Sequence, residues 1–255
     1  MDMRPLEETE AAWVPDYFGD DYLRLYSFPP ERTDPEVAFL TAELHARIAS
    51  QGTILDLACG QGRHTIPLAQ RGFSVVGLDY QQNLLYAATR AAQQAGVSPA
   101  FVRGDMRRLP FGPGFAAVLN LFTAFGYFSD AENQRVLAEM ARVLCPGGWL
   151  ILDVANRDAL LRTAQPRSWK RLADGTLVVS EWQWDVPSGR YTHHQWLITA
   201  TGQRALTHSV RVYTCTELTT MLREVGLRLD AVHGGFRGEA LTLDAPRMVL
   251  IAQKY

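Results

Sequence analysis

The chain has 255 residues, 47% of them hydrophobic and 20% charged, with a formal net charge of −2. That balance suits a globular protein large enough to bury a core, and it excludes the strongly basic surface that nucleic acids and anionic membranes select. No apolar run approaches the roughly 20 residues that span a bilayer, the acidic start MDMRPLEETEAAW lacks the apolar stretch of a secretory signal, and Cys59, Cys145 and Cys215 offer neither a disulfide framework nor metal-ligand spacing, so a cytoplasmic protein without a metal is expected.

Residues 1–34 form an aromatic N-terminal arm, in which Trp13, Tyr17, Phe18, Tyr22, Tyr26 and Phe28 precede Pro29-Pro30. The arm either packs on the domain as an amphipathic segment or folds over a ligand as a lid. From Pro35 to Ser50, Val37, Leu40, Leu44 and Ile48 recur three and four apart, which predicts a helix ended by Gly52. Ile54-Leu55-Asp56-Leu57-Ala58 reads as a buried strand, Gly60 and Gly62 as a turn, and Ile66, Leu68 and Ala69 as a helix stopped at Gly72. Strand, glycine turn and helix make the first unit of a nucleotide-binding α/β fold: glycines let the backbone approach a ligand, and a helix start presents free N–H groups.

Phe73 to Leu78 predicts a second strand ending at Asp79, and Gln82 to Gln94 a helix stopped at Gly96. Ala100 to Arg103 predicts a third strand, followed by Gly104-Asp105-Met106. The loop from Pro110 to Gly114 leads into a fourth strand from Ala116 to Phe122. Ser129 or Asp130 caps a helix running to about Leu144, Pro146-Gly147-Gly148 is a turn, and Trp149 to Val154 is the fifth strand. Helix and strand thus alternate through residues 35–155, which predicts a doubly wound, mostly parallel sheet with helices on both faces.

The pattern then changes. Within an insertion spanning residues 156–213, the stretch from about Trp169 to Tyr213 is rich in β-branched and aromatic residues, with turns at Asp174-Gly175, Pro187-Ser188-Gly189 and Thr201-Gly202. They predict an insertion of three antiparallel strands. Residues 214–255 complete the α/β unit: Thr214 or Thr216 caps a helix, and strands at Leu227–His233 and Met248–Gln253 form a closing hairpin.

The glycine turn lacks the third glycine of a dinucleotide fingerprint, because Thr65 stands there. Asp56 lies inside the first strand, where a buried charge needs donors or a cation. Asp79 ends the second strand, where an acid accepts from ribose hydroxyls, and Asp105 ends the third. In a parallel sheet all three share the carboxyl edge, where ligands bind.

With LDLACGQG at 55–62, Asp79-Tyr80, Gly104-Asp105-Met106, Asn120-Leu121-Phe122 and RVLCPGGWLILD at 142–153 in this order, the chain resembles the class I S-adenosylmethionine-dependent methyltransferases. The resemblance is close from Asp34 to about Val154 and holds in outline over the last 40 residues. It implies a Rossmann-like, seven-stranded, mostly parallel sheet whose last strand is antiparallel. It implies S-adenosylmethionine as cofactor, S-adenosylhomocysteine as product, and no metal. It assigns Asp56, Ala58, Gly60 and Gly62 to the methionine part, Asp79 to the ribose, Tyr80 to the side of the adenine, and Gly104, Asp105 and Met106 to the adenine ring. Asn120, Leu121 and Phe122 fall beneath the transferable methyl. Ring faces suit a sulfonium, so Tyr17, Tyr22, Tyr26, Phe122 and Tyr127 are candidates there, and His64 is a candidate cofactor contact.

Asn120-Leu121-Phe122-Thr123 is not the Asn/Asp-Pro-Pro-Tyr that grips planar amides and nucleobase amines, and no Pro-Cys pair marks a cytosine C5 enzyme. A small-molecule acceptor is expected, with no nucleic acid and no membrane as partner. The stretch from Phe122 to Phe128, together with the insertion after the fifth strand, resembles small-molecule N-methyltransferases that act on aminosugars and glycine-like amines. This implies transfer to nitrogen, with the inserted strands either pairing two subunits as a homodimer or capping the acceptor pocket. A small-molecule O-methyltransferase and a non-catalytic S-adenosylmethionine-binding protein are the alternatives. Tyr127, His193 and His194 are candidate catalytic residues, and adjacent histidines on a strand point to opposite faces, so at most one of that pair faces a pocket. The cluster Arg103, Arg107 and Arg108 reads as a solvated loop.

Overall fold

The computed structural model describes residues 14–26, 30–48, 52–163 and 165–255, and Trp13, Phe28, Pro29 and Ser50 lie outside the described residues. The arm holds α1 (Val14–Tyr17) and α2 (Asp20–Leu25), and α3 (Pro30–Arg47) follows. Then come β1 (Thr53–Leu57), α4 (Thr65–Gln70), β2 (Ser74–Asp79), α5 (Gln82–Gln94), β3 (Ala100–Arg103), β4 (Phe115–Asn120), α6 (Asp130–Val143) and β5 (Leu144–Ala155). After α7 (Arg157–Thr163), the insertion runs β6 (Arg167–Arg171), β7 (Leu177–Asp185), β8 (Arg190–Thr199) and β9 (Gly202–Arg211). α8 (Cys215–Glu224), β10 (Leu227–His233) and β11 (Arg247–Lys254) close the chain.

The main sheet has the order β10-β11-β5-β4-β1-β2-β3, and only β11 runs against the others. The chain winds outward from β1 through β2 and β3, then returns to the other side of β1 with β4 and β5. That reversal opens a crevice at the carboxyl ends of β1 and β4. Leu57 pairs with Leu78 on one side and Asn120 on the other, so the three loops that follow leave the sheet at one level. Val37, Leu40 and Leu44 of α3 and Leu68 of α4 cover one face. Val136, Leu137 and Met140 of α6 and Leu218 and Leu222 of α8 cover the other. Each such side chain, fully buried, contributes about 1.5–3 kcal/mol.

Several boundaries differ from the sequence expectation for physical reasons. α3 starts at Pro30 and runs through Pro35, whose missing N–H forfeits one helical bond but does not stop the helix. Pro146-Gly147-Gly148 is a bulge within β5, where the register against β4 shifts between Phe115 and Ala117. The insertion has four strands instead of three, since three hairpin turns join four strands. The additional one, β6, is exposed at every residue and has no apolar alternation to reveal it; its pairing with β7 across Asp174-Gly175 makes it a strand. On the outer face of this second sheet Trp169 is 72% exposed.

The inserted sheet is fastened to the loop that follows β4. The Arg211 N–H donates to the Gly126 carbonyl at 2.8 Å, and the Arg190 guanidinium donates to the carbonyls of Tyr127 and Phe128. Gly126 has φ +110°, and a Cβ there would collide with the Arg211 carbonyl, so glycine is required at this contact. Among the described residues no helix is long and apolar enough to cross a membrane.

Candidate active site

One chamber opens at the carboxyl edge of β1, β2, β3 and β4. Its volume is about 120 Å³, several times the ~10–15 Å³ that a single water needs. Of the residues singled out from the sequence, Phe18, Tyr22, Asp56, Ala58, His64, Asp79, Tyr80, Gly104, Asp105, Met106, Leu121, Phe122 and Tyr127 line it. Tyr26, Gly60, Gly62, Asn120, His193 and His194 do not.

Three residues of the glycine turn alternate into the left-handed region: Ala58 (φ +62°), Gly60 (φ +56°) and Gly62 (φ +80°). The two glycines adopt it without penalty, and alanine carries the smallest side chain that has a Cβ to strain. Asp56 is 2% exposed, and Thr65 donates its hydroxyl to it at 2.5 Å. Burial raises the Asp56 carboxyl, while His64, Thr65 and Arg63 pull it back. Thr65 therefore occupies the third-glycine position because a hydroxyl is needed there. Thr65→Val, which keeps the shape and removes the donor, is expected to cost about 1–3 kcal/mol in urea unfolding; an unchanged midpoint and slope would show that Asp56 does not depend on it.

α3 holds the turn from the other side. Glu36 bonds Nε2 of His64 at 2.8 Å and Arg63 at 2.6 Å. Against the cost of its own burial, His64 and Arg63 hold the Glu36 carboxyl below its usual range. Arg63 also lies over the Phe122 ring, 5.0 Å from its centroid. Arg63 lines the chamber and went unnoticed in the sequence, where its sole signal is adjacency to His64.

Asp79 accepts the Gly60 N–H on Oδ2 and the Gln81 N–H on Oδ1, both at 2.8 Å. Asp105 is gripped by Arg107, whose Nε and Nη2 reach both of its oxygens at 2.8–3.2 Å and whose backbone N–H adds a further bond at 2.8 Å. Arg107 also meets Glu132 at 2.7 Å and lies over the Phe128 ring. Arg103 and Arg108 are exposed, as a solvated loop would have them, but Arg107 is buried. Asn120 donates to the Leu57 carbonyl at 3.1 Å, and its buried Oδ1 meets no protein donor.

β4 stops at Asn120, and Phe122 and Thr123 both turn left-handed with φ +59°. For a β-branched threonine that conformation is strained. Asp153 of β5 holds it: the Phe122 N–H donates to Asp153 Oδ2 at 2.8 Å and the Thr123 N–H to the Asp153 carbonyl at 3.0 Å. Arg247 of β11 grips the same carboxylate at 2.7 and 2.5 Å. The Asp153 and Arg247 side chains meet diagonally between β5 and β11, since Arg247 stands opposite Ala155 and Asp153 opposite Val249, a relation that no local pattern announces.

The arm packs on the domain and walls the chamber at once. Tyr17 and Leu25 are buried against Val178, Leu197 and Leu206 of the inserted sheet, while Phe18 and Tyr22 line the chamber. The Tyr26 hydroxyl meets that of Tyr17 at 2.5 Å behind this wall. His193 is buried between Trp182, stacked at 3.3 Å, and His208, with neither ring nitrogen hydrogen-bonded. Burial, assisted by His208 and His194, lowers its pKa to about 2. His194 faces the other side and bonds Thr207 at 3.0 Å. Tyr127 is the one of the three candidate catalytic residues that lines the chamber.

Residues 54–148 match the family described as methyltransferase domain. The chain is 29% identical to the glycine N-methyltransferase of Rattus norvegicus over 60% of this chain and 58% of that protein, so it spans less than two thirds of that relative's length. It is 30% identical to the demethylmenaquinone methyltransferase of Lactiplantibacillus plantarum over 73% of this chain and 74% of that protein. The solved structure of S-adenosylmethionine-bound CalS10, an amino pentose methyltransferase from Micromonospora echinaspora, matches with a TM-score of 0.66 at 23% identity, covering 100% of both chains; this likeness shows a shared fold.

Proposed function

Because the chain belongs to the S-adenosylmethionine-dependent methyltransferases, we propose that its chamber holds this cofactor along the carboxyl edge of the sheet and methylates a small molecule at nitrogen. The observation that carries this reading is a single cavity walled by the residues that follow β1, β2, β3 and β4.

The residues present fit the cofactor. Asp79 has one backbone N–H on each oxygen, which leaves acceptor capacity for two ribose hydroxyls. Tyr80, Gly104 and Met106 flank the adenine, and Asp105 contributes to that wall while sharing its oxygens with Arg107. Asp56 and the carbonyls of the glycine turn suit the amino group, and Arg63 offers a cation for the carboxylate. When bound, S-adenosylmethionine supplies an electrophilic methyl group on a sulfonium. Phe122, held by Asp153 and Arg247, fixes the floor at the reacting end, while Phe18 and Tyr22 exclude water from above. Positioning and desolvation of this kind carry much of the rate in a displacement with a good leaving group.

Nitrogen is favoured by what stands at the Phe122 end. An alcohol needs a base to remove its proton, whereas a free amine brings its own lone pair. Tyr127 is kept in its phenol form by burial and by the neighbouring Tyr22, Tyr26 and Asp79. His64 is engaged by Glu36 at the glycine turn, and His193 and His194 lie outside the chamber. The glycine N-methyltransferase and amino pentose methyltransferase named among the similar proteins support the same choice.

The experiment is incubation with methyl-labelled S-adenosylmethionine and a fractionated metabolite extract, beside calorimetry with S-adenosylhomocysteine. Label is expected in a small amine, with the product cofactor binding. Label in an oxygen-linked methyl would favour the alternative acceptor. Cofactor binding with no transfer would favour a non-catalytic binding protein, and binding of NADH in place of S-adenosylhomocysteine would overturn the assignment.

A further inference from the structure

The inserted sheet meets the arm with a row of rings. Trp182, His193 and His208 stand opposite one another across β7, β8 and β9. His193 stacks on Trp182 with centroids 3.3 Å apart, and His208 meets His193 edge-on at 5.1 Å. Tyr17 of α1 closes the row: its ring lies 4.3 Å from that of His208, and its hydroxyl donates to Gln195 Oε1 at 3.1 Å. Both Tyr17 and His193 are buried. None of these residues lines the chamber, yet Phe18, next to Tyr17, and Tyr22 of α2 do. The contact that seats the arm is therefore separate from the wall the arm supplies.

Imidazoles buried in this way stay neutral. Neither ring nitrogen of His193 has a hydrogen-bond partner. The titratable and charged groups around the pair are Tyr17 and Tyr26 of the arm, His194 of β8 and Lys170 of β6. Burial raises both phenols, so they carry no charge, and His194 and Lys170 offer only positive charge. Burial, with cationic neighbours adding to it, lowers His193 to about 2 and His208 to about 3. An imidazole in water takes up a proton near pH 6.5. Above that pH the docked and released arm bind the same number of protons, and docking does not depend on pH. Below it the exposed imidazoles charge and the buried ones do not, so release gains about tenfold per pH unit for each histidine.

We propose that Tyr17 and the Trp182–His193–His208 row form an acid-sensitive latch: the arm is seated near neutrality, and its opening grows steeply in mild acid as the two histidines take up protons, which draws Phe18 and Tyr22 away from the chamber. The latch does not depend on what the chamber binds. The tie from Arg24 of α2 to Asp174 in the β6–β7 turn, at 2.5 Å, holds throughout, because Arg24 keeps the Asp174 carboxyl down at about 2.

The test is hydrogen exchange read by mass spectrometry on the full chain without ligand, at pH 7.5 and pH 5.5, each rate divided by that of an unprotected amide at the same pH. Exchange detects openings that occupy a small fraction of molecules. Two histidines that charge on release predict a rise of about 100-fold in the open fraction of residues 14–26, with the amides of β1 and β4 unchanged. His193→Phe and His208→Phe each keep a ring in the row and cut the rise to about tenfold, and the double variant removes it. Asp79, whose carboxyl also titrates at about 6, is intact in all three variants and cannot produce this pattern. A rise of less than about threefold in the parent overturns the latch. So does a rise that survives in the double variant, or one shared by β1 and β4, which would be unfolding of the whole domain.

Discussion

Asp79→Ala weakens S-adenosylhomocysteine binding by about 1–3 kcal/mol, roughly 5- to 150-fold, because a charged acceptor for the ribose hydroxyls is lost. The side chain is 8% exposed and also holds the Gly60 and Gln81 amides, so alanine removes ligand and turn contacts together. Asp79→Asn removes the charge and keeps one accepting oxygen for one of the two amides, so it disturbs the turn less than alanine does. An affinity unchanged in both variants refutes the ribose role. The same carboxyl predicts a pH dependence. Burial, against the pull of the Gln81 and Gly60 amides, raises it from 3.8 to about 6. Ribose hydroxyls donate to the ionised form, so the ligand favours ionised Asp79. Above pH 6 the carboxyl is already ionised and affinity is flat; below it, binding must expel a proton, and affinity falls toward about tenfold per pH unit. Calorimetry across that range reads the slope, and Asp79→Ala abolishes it. A parent protein whose affinity does not change below pH 6 would contradict the coupling.

Arg247→Ala has the largest expected cost to stability, about 3–5 kcal/mol in urea unfolding. Asp153 is 1% exposed, and without Arg247 it is a buried charge with no cation. It also anchors the left-handed Phe122 and Thr123, each a conformation costing on the order of 1–3 kcal/mol that persists only when its surroundings enforce it. Turnover is therefore expected to fall more than cofactor affinity, because the floor of the chamber shifts while Asp79 stays in place. The double variant Asp153→Leu with Arg247→Met recovers part of the stability by leaving no buried charge, and does not recover turnover, because the Phe122 N–H still lacks its acceptor. A loss of less than about 0.5 kcal/mol for Arg247→Ala would class the pair with ordinary surface contacts.

What the amino-acid order announced was whatever depends on near neighbours. Apolar spacing along α5 and β3, the glycine turn after β1, and the acids inside β1, at the end of β2 and just after β3 all emerge as read, since a helix or strand period is set within a few residues. The alternation of these units is enough to define a doubly wound sheet, and with it the edge where a ligand binds. Strand β6 escaped because its exposed RSWKR has no period, and its partner alone makes it a strand.

The sequence by itself thus determined the sheet, its carboxyl edge and the acids along it. The tertiary structure decided which of those groups are engaged and what closes over them. It buried Arg107 onto Asp105 and Glu132, turned the arm into a wall of Phe18 and Tyr22, and kept His193 and His194 out of the chamber. It also joined Asp153 to Arg247, 94 residues further along the chain. A charge or a ring has no local period, and whether it is solvated, paired or packed depends on partners that only folding brings within 3–6 Å of it.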